Sequence, residues 1–344
     1  ALKSSLMIES QGWLQSLEAS LALYSELGMQ WELARVHATL GLPYMGLANY
    51  RQASEHHRQA QRLFELVGDA RWSNVQKVWL GYNQLWSGQL QEAETAIREA
   101  LAWFRQNDPY HRTVIWCQMI LGQTLVFSGK FEEALSELVV GRKGADRWAR
   151  FTWRIFSSWA TMQLGNYLQA RQEGQWWLSE SQGAQLRYYV GFSHLIVACA
   201  ALGLEVPDTA ESHLQESFTA FETADQPDEM SWAKAGLGYV FLQKGQASEA
   251  RDHLLGTLET AVDYHLFWAI VHALPAAAVL LAEVGDAELA VELYGLACTY
   301  GYVANSRWFE DVAGRRIATA AGALPPERVA AARARGAARD LWQT

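Results

Sequence analysis

Apolar stretches at helical spacing run along this chain and are interrupted at a nearly constant interval by a small residue set in a turn. These residues are Ala48, Gly88, Gly129, Gly165, Gly203, Gly245 and Gly285, at spacings of 40, 41, 36, 38, 42 and 40. Five residues after most of the turns comes an alanine: Ala53, Ala93, Ala134, Ala170, Ala250 and Ala290. Seven residues before them comes another small residue: Gly41, Gly81, Gly122, Ser158, Gly238 and Ala278. The fifth unit slips, with Ala210 seven residues on, after Glu205-Val206-Pro207-Asp208, and with Ile196 at the earlier position.

These spacings have a physical reason. Antiparallel helices joined by a tight turn cross closely only where small residues face each other, and a left-handed turn residue costs least as glycine. Each hairpin leaves an apolar face that only a neighbour can cover, so the units stack. The pattern predicts an all-α chain. A partial N-terminal hairpin over residues 1–30 shows one recognisable helix at 14–27. Seven helix pairs follow over 31–301, and capping helices over 302–344. Pro43 and Pro275 fall within first helices and are expected to kink or break them. Pro325-Pro326-Glu327 reads as the start of a final helix.

The stretches Leu80-Gly81-Tyr82 with Gly88-Gln89-Leu90-Gln91-Glu92-Ala93, and Leu121-Gly122-Gln123 with Gly129-Lys130-Phe131-Glu132-Glu133-Ala134, resemble tetratricopeptide repeats (TPR). So does Leu237-Gly238-Tyr239 with Gly245-Gln246-Ala247-Ser248-Glu249-Ala250. The standard unit is about 34 residues; these units are longer, which implies longer helices. In that they resemble the repeats in sensor domains of large ATP-dependent regulators, the maltose-activator-like (LuxR-type) transcriptional regulators among them. The string Val303-Ala304-Asn305-Ser306-Arg307-Trp308-Phe309-Glu310-Asp311-Val312-Ala313-Gly314-Arg315 resembles the end of such arrays in bacterial signalling ATPases of the STAND type. The resemblance implies a right-handed α-solenoid of TPR-like hairpins with a helical C-terminal cap. It also implies a cytoplasmic, non-catalytic sensor domain, linked to upstream nucleotide-binding and output domains. The start, Ala1-Leu2-Lys3-Ser4, has neither an initiator methionine nor the pattern of a signal peptide, so a longer parent protein is expected.

Composition narrows the function. The net charge of -9 and pI near 5.5 argue against direct nucleic-acid binding, which needs a basic stripe. The Ala/Arg-rich stretch at 328–339, flanked by Glu327 and Asp340, reads as an amphipathic cap helix. Cys117, Cys199 and Cys298 are far apart and odd in number, which suits reduced thiols. The most apolar run, 267–282, contains His272 and Pro275 and is short for a membrane span.

Catalytic and cofactor motifs are scarce. No G-x-x-x-x-G-K-[ST] loop, H-E-x-x-H or C-x-x-C occurs, so no cofactor or metal is expected. Glu55-His56-His57 is the best metal-like cluster, but adjacent helical histidines point about 100° apart and do not readily ligate one ion. His213 and His253 fall in second helices and read as surface or boundary residues. Glu132-Glu133 reads as a solvated helix start.

The 16 tryptophans are the anomaly. In TPR-type superhelices the first helix of each pair lines the concave face. Counting the helix glycine as the eighth position, the second positions are Arg35, Val75, Trp116, Thr152, Val190, Trp232 and His272. The ninth are Leu42, Tyr82, Gln123, Trp159, Val197, Tyr239 and Val279, on the same helix face. One turn before the second position come Trp31, Trp72, Trp148 and Trp268. The expected groove is formed by Trp72, Tyr82, Trp116, Gln123, Trp159, Trp232, Tyr239 and Trp268, with Arg35 and Arg112 for carboxylate or phosphate groups; the competing reading is that these aromatics fill the space between neighbouring hairpins. Trp79, Trp153, Trp176 and Trp177 are assigned to packing between units. The expected occupant is a protein or peptide partner, or a small-molecule inducer; a free-standing scaffold for partner peptides is the alternative.

Overall fold

The computed structural model describes residues 15–140 and 147–343. The helix expected at 14–27 is described from residue 15, as α1 (15–26). Seven hairpins follow: α2 (Gln30–Gly46) with α3 (Tyr50–Leu66), α4 (Ala70–Trp86) with α5 (Leu90–Asn107), and α6 (Thr113–Phe127) with α7 (Phe131–Val140). Next are α8 (Arg147–Gln163) with α9 (Tyr167–Gly183), and α10 (Arg187–Gly203) with α11 (Pro207–Thr223). The last two are α12 (Pro227–Gln243) with α13 (Ala247–Tyr264), and α14 (Phe267–Glu283) with α15 (Ala287–Ala297). The chain ends with the short helices α16 (Gly301–Ala304) and α17 (Arg307–Phe309), a π-helical turn at Glu310–Gly314, then α18 (Arg315–Ala321) and α19 (Pro326–Ala338). Among the described residues there is no strand, and no helix is long and apolar enough to cross a membrane. The chain forms two compact units, Ala1–Leu121 and Gly122–Thr344, with the boundary inside α6.

Most helix connections have the same chemistry. A left-handed residue ends the helix, and the next N–H returns to the carbonyl five residues back, as in Asn49 to Tyr44 at 2.8 Å and Gln246 to Phe241 at 2.8 Å. Ala48, Gly88, Gly129, Gly165, Gly245 and Gly285 all have positive φ, as the repeat predicts. In the fifth pair the left-handed residue is Glu205 (φ 58°), while Gly203 closes α10. Counting from Glu205 removes the slip. Ala210 falls five residues on and Ala198 seven before, both fully buried. Phe192 and Cys199, not Val190 and Val197, then hold the second and ninth positions of that unit. Side-chain caps start some helices: Asn49 accepts from the Gln52 N–H (3.2 Å) and Asp69 from that of Trp72 (3.1 Å).

The post-turn alanines 53, 93, 134, 170, 210, 250 and 290 are all 0 % exposed. The small partner is equally constrained: a Cβ on Gly81 would lie 2.7 Å from the Ile97 side chain. Second helices bury one stripe, as α3 does with Ala53, Ser54, His57, Ala60 and Phe64. First helices of the second unit are enclosed far more completely, and α10 buries every residue from 191 to 202. Pro43 and Pro275 do not end their helices, since α2 and α14 run through them.

The C-terminus does more than cover an end. α19 packs on α15, where Arg335 and Arg339 pair with Glu292, and Arg328 and Arg335 with Glu288. The arginines that look solvated in sequence therefore clamp the last helix to the last hairpin. Ahead of it, residues 301–314 run along the face built by the first helices of the second unit.

Candidate functional site

In the first unit a cavity lies along the first helices of the hairpins. Arg35, Thr39 and Leu42 of α2, Trp72, Gln76 and Trp79 of α4, and Arg112, Thr113 and Trp116 at the start of α6 surround a cavity of about 330 Å³. Trp116 stands edge-on to Trp79 with ring centroids 4.9 Å apart, and Trp72 stacks on Phe64 at 5.9 Å. Leu42 remains 43 % exposed and Trp72 37 %, so large apolar groups face solvent here. The Arg35 guanidinium lies over the Trp31 ring at 5.3 Å. Neither Arg35 nor Arg112 has a carboxylate partner among the described residues. His111 also lines the cavity, stacked on Phe104 at 5.1 Å; burial pushes its pKa down, against the pull of Asp108.

Four of the expected groove residues thus come together: Arg35, Trp72, Arg112 and Trp116. Tyr82 is half-buried against Trp79 and Trp86, outside the cavity lining. Trp79 packs between hairpins as assigned, stacked on His57 at 6.3 Å and edge-on to Trp116 at 4.9 Å, and its ring also lines the cavity. The signal was available, because Trp72, Val75 and Trp79 share one helix face. The side chain of Trp148 lies outside the described residues.

The second unit differs. Trp159, Trp232, Tyr239 and Trp268 are each 1 % exposed and Gln123 is 2 %, so none of them forms an open surface. Gln123 lies in an unbroken buried run at 117–127. For the aromatic residues the reason is the protein's own C-terminal segment. Tyr302, Trp308 and Phe309, all 0 % exposed, insert among them. The Tyr302 hydroxyl accepts from the Trp159 indole N–H (3.1 Å) and the Gln163 amide (3.3 Å). Ser306 donates to Gln163, and the Trp308 indole donates to the Cys199 carbonyl of α10 at 2.7 Å. Trp308 also packs on Tyr239 (5.2 Å) and stacks on His272 (5.5 Å, 12°), whose other face stacks on Trp232 (5.8 Å, 13°). At the rim Asn305 donates to the Gly129 carbonyl (3.3 Å) and Tyr167 to Asp311 (2.7 Å). His272 is fully buried, neither ring nitrogen has a hydrogen-bond partner among the described residues, and burial pushes its pKa down to about 3. It is a neutral ring in an aromatic stack.

The other assignments resolve by geometry. His56 faces His37, while His57 turns to Gln76 (2.9 Å), so the adjacent histidines diverge. Trp153 and Trp177 are buried, and Trp176 is 50 % exposed. The Arg154 guanidinium lies 4.3 Å from the Trp177 ring. Cys117 and Cys199 are buried free thiols. Among the described residues no group of three or more His, Cys, Asp and Glu is arranged to hold a metal ion.

No family model matches the sequence, and no curated protein is similar to it. Solved structures share the helical architecture at low identity. A Rap protein complexed with competence and sporulation factor is 15 % identical, over 89 % of this chain and 73 % of that one, with a TM-score of 0.44. A tetratricopeptide repeat protein from Parabacteroides merdae is 14 % identical, over 83 % and 98 %, with a TM-score of 0.46. The apo form of RapI is 14 % identical, over 83 % and 97 %, with a TM-score of 0.34. At this degree these are likenesses of helical architecture only. The repeated hairpins, left-handed turns and buried crossing alanines make the chain a TPR-like helical-repeat protein.

Proposed function

We propose that this chain is a binding module whose first-unit groove receives an acidic segment of a partner protein. Trp72, Trp79 and Trp116 would bury its apolar side chains, and Arg35 and Arg112 would take its carboxylates. The observation that carries this reading is the open cavity in which the rings of Trp72, Trp79 and Trp116 converge with two guanidiniums that have no carboxylate partner among the described residues. Rings of this kind gain large contact area for little entropy, and arginine forks suit carboxylates. In the wider reading, which follows the sequence resemblance, the module is the sensor of a larger bacterial signalling ATPase or transcriptional regulator. Occupancy of the groove then biases a nucleotide-dependent switch elsewhere in that protein.

Labelled decapeptides carrying one aromatic and two acidic residues, compared with lysine-substituted counterparts, test the groove. The acidic set should bind, and Trp116→Ala should weaken binding by about thirtyfold, the usual effect of truncating an aromatic anchor. Its melting temperature should change little. Equal binding of both sets, or indifference to Trp116→Ala and Arg112→Glu, refutes the reading; binding of a small anionic metabolite in preference to any peptide changes its ligand class. The sensor part expects the parent protein to bind ATP and this chain alone not to.

A further inference from the structure

Two histidine pairs occupy the same repeat positions in different hairpins. His37 of α2 faces His56 of α3 with their Nδ1 atoms 3.1 Å apart, and His194 of α10 faces His213 of α11 with theirs 2.8 Å apart. Counted from the left-handed residues Ala48 and Glu205, each pair lies eleven residues before the turn and eight after it (48 − 37 and 205 − 194; 56 − 48 and 213 − 205). The other five hairpins hold Lys77 with Ala96, Gln118 with Glu137, Arg154 with Glu173, Lys234 with His253, and Leu274 with Leu293 at these positions. Packing therefore does not demand imidazole there, and the site tolerates charged, polar and apolar pairs alike. Histidine at both positions, twice, asks for another explanation.

We propose that each pair is a binding site for a borderline divalent transition-metal ion of the zinc or nickel type, held by the two Nδ1 atoms. Two imidazole nitrogens at about 2.0–2.1 Å from a tetrahedral ion are about 3.3 Å apart. The observed separations need only a few tenths of an ångström of widening, within reach of side-chain rotation. In the metal-free form one ring donates its Nδ1–H to the other. On binding, that proton passes through water to Nε2 of the same ring, so no net proton is released and both rings stay neutral. The neutral form is the resident one, since burial pushes His37 and His194 down to about 4 and lowers His56 and His213 as well. Tyr44 stacks on His56 at 5.4 Å and 10°, which supports that ring on the side of His37. Glu55 and Glu216 lie close enough to act electrostatically on His56 and His213, and they favour a bound cation. Water fills the remaining coordination positions, so moderate affinity is expected.

The test is calorimetric titration of the reduced, metal-stripped full chain with Zn²⁺ and with Ni²⁺ at pH 7.5 in a non-chelating buffer. Two equivalents should bind with micromolar Kd. His56→Gln should remove one equivalent, His213→Gln the other, and the double variant both. His253→Gln should remove neither. Glutamine preserves a polar partner, and circular dichroism checks that each variant folds; should either not fold, His37→Gln and His194→Gln serve in its place. Absence of binding at submillimolar metal overturns the proposal, and so does full uptake by the double variant. Variants that lower the melting temperature without changing metal uptake assign the pairs to hydrogen bonding alone, which also overturns it.

Discussion

Replacing Trp308 with alanine tests whether the C-terminal segment is core of the second unit. The side chain is 0 % exposed, donates to the Cys199 carbonyl, and touches His272, Tyr239 and Phe309. A buried tryptophan removes about 200 Å² from water, which at about 25 cal/mol/Å² gives about 5 kcal/mol as an upper bound. Loss of the indole hydrogen bond adds about 1 kcal/mol, and partial collapse of the cavity takes some of this back. The expected loss is about 4 kcal/mol, within the range of about 3–5 kcal/mol for deleting a core tryptophan. A chain of two compact units need not unfold in one step, so the readout is native-state hydrogen exchange at the amides of α10, α12 and α14. Their protection should fall by about that amount. Trp308→Phe keeps a ring but not the N–H and should cost roughly half as much. A loss under about 1 kcal/mol at these amides would falsify the packing argument, because it would mean that the segment merely lies on the surface of its unit.

Acid should destabilise the fold. His37, His57 and His194 are held down to about 4 and His272 to about 3, mainly by burial, so the unfolded chain binds more protons than the folded one below about 6.5. Their stabilisation is complete above that pH and is lost as pH falls toward 4. Glu229, raised to about 7 by burial, works the other way but is one group against four. Scanning calorimetry should show the melting temperature falling from pH 7 to pH 4.5, and a rise would contradict the histidine placement. Ala134→Leu should destabilise by about 1–3 kcal/mol through overpacking at a fully buried crossing, read as a shift in the urea midpoint. Gly129→Ala combines a strained φ of +73° with a Cβ that would strike the Gly301 carbonyl, so it should loosen residues 301–305; unchanged amide protection there would count against this contact.

Most of the architecture is legible from spacing alone, because close crossings and left-handed turns constrain residue type strongly. The fifth hairpin shows the limit. Gly203 looks like the turn since glycine is cheapest in the left-handed region, yet Glu205 adopts it, and Pro207 then starts α11. A short-range preference of about 1–2 kcal/mol for glycine in the left-handed region gave way to the register that buries Ala198 and Ala210. The groove was half legible. Periodicity places Trp116, Trp159, Trp232 and Tyr239 on the inner face of their helices, but whether another part of the chain covers a face is a long-range fact. Trp159 and Tyr302 are 143 residues apart in sequence, and Trp308 and Cys199 are 109 apart. No local pattern encodes those contacts.

One feature of the sequence does bear on which face is covered. At the second position of the repeat the first unit carries Arg35, Val75 and Trp116, whereas the second carries Thr152, Phe192, Trp232 and His272, with no charged side chain. Arg112 likewise stands at the edge of the first unit's cavity. Covering Arg35 and Arg112 with an apolar segment would strip the hydration from two guanidiniums without a carboxylate to replace it, at several kcal/mol each. Covering Trp232 and neutral His272 costs no such desolvation, and the rings of Tyr302, Trp308 and Phe309 gain contact from every neighbour they touch. The same periodic row of inner-face positions therefore has two outcomes. Where the row is aromatic and uncharged, an aromatic segment of the same chain closes it and it becomes core. Where guanidiniums interrupt it, self-closure is unfavourable, and the acidic partner proposed above would supply the carboxylates that such a face lacks.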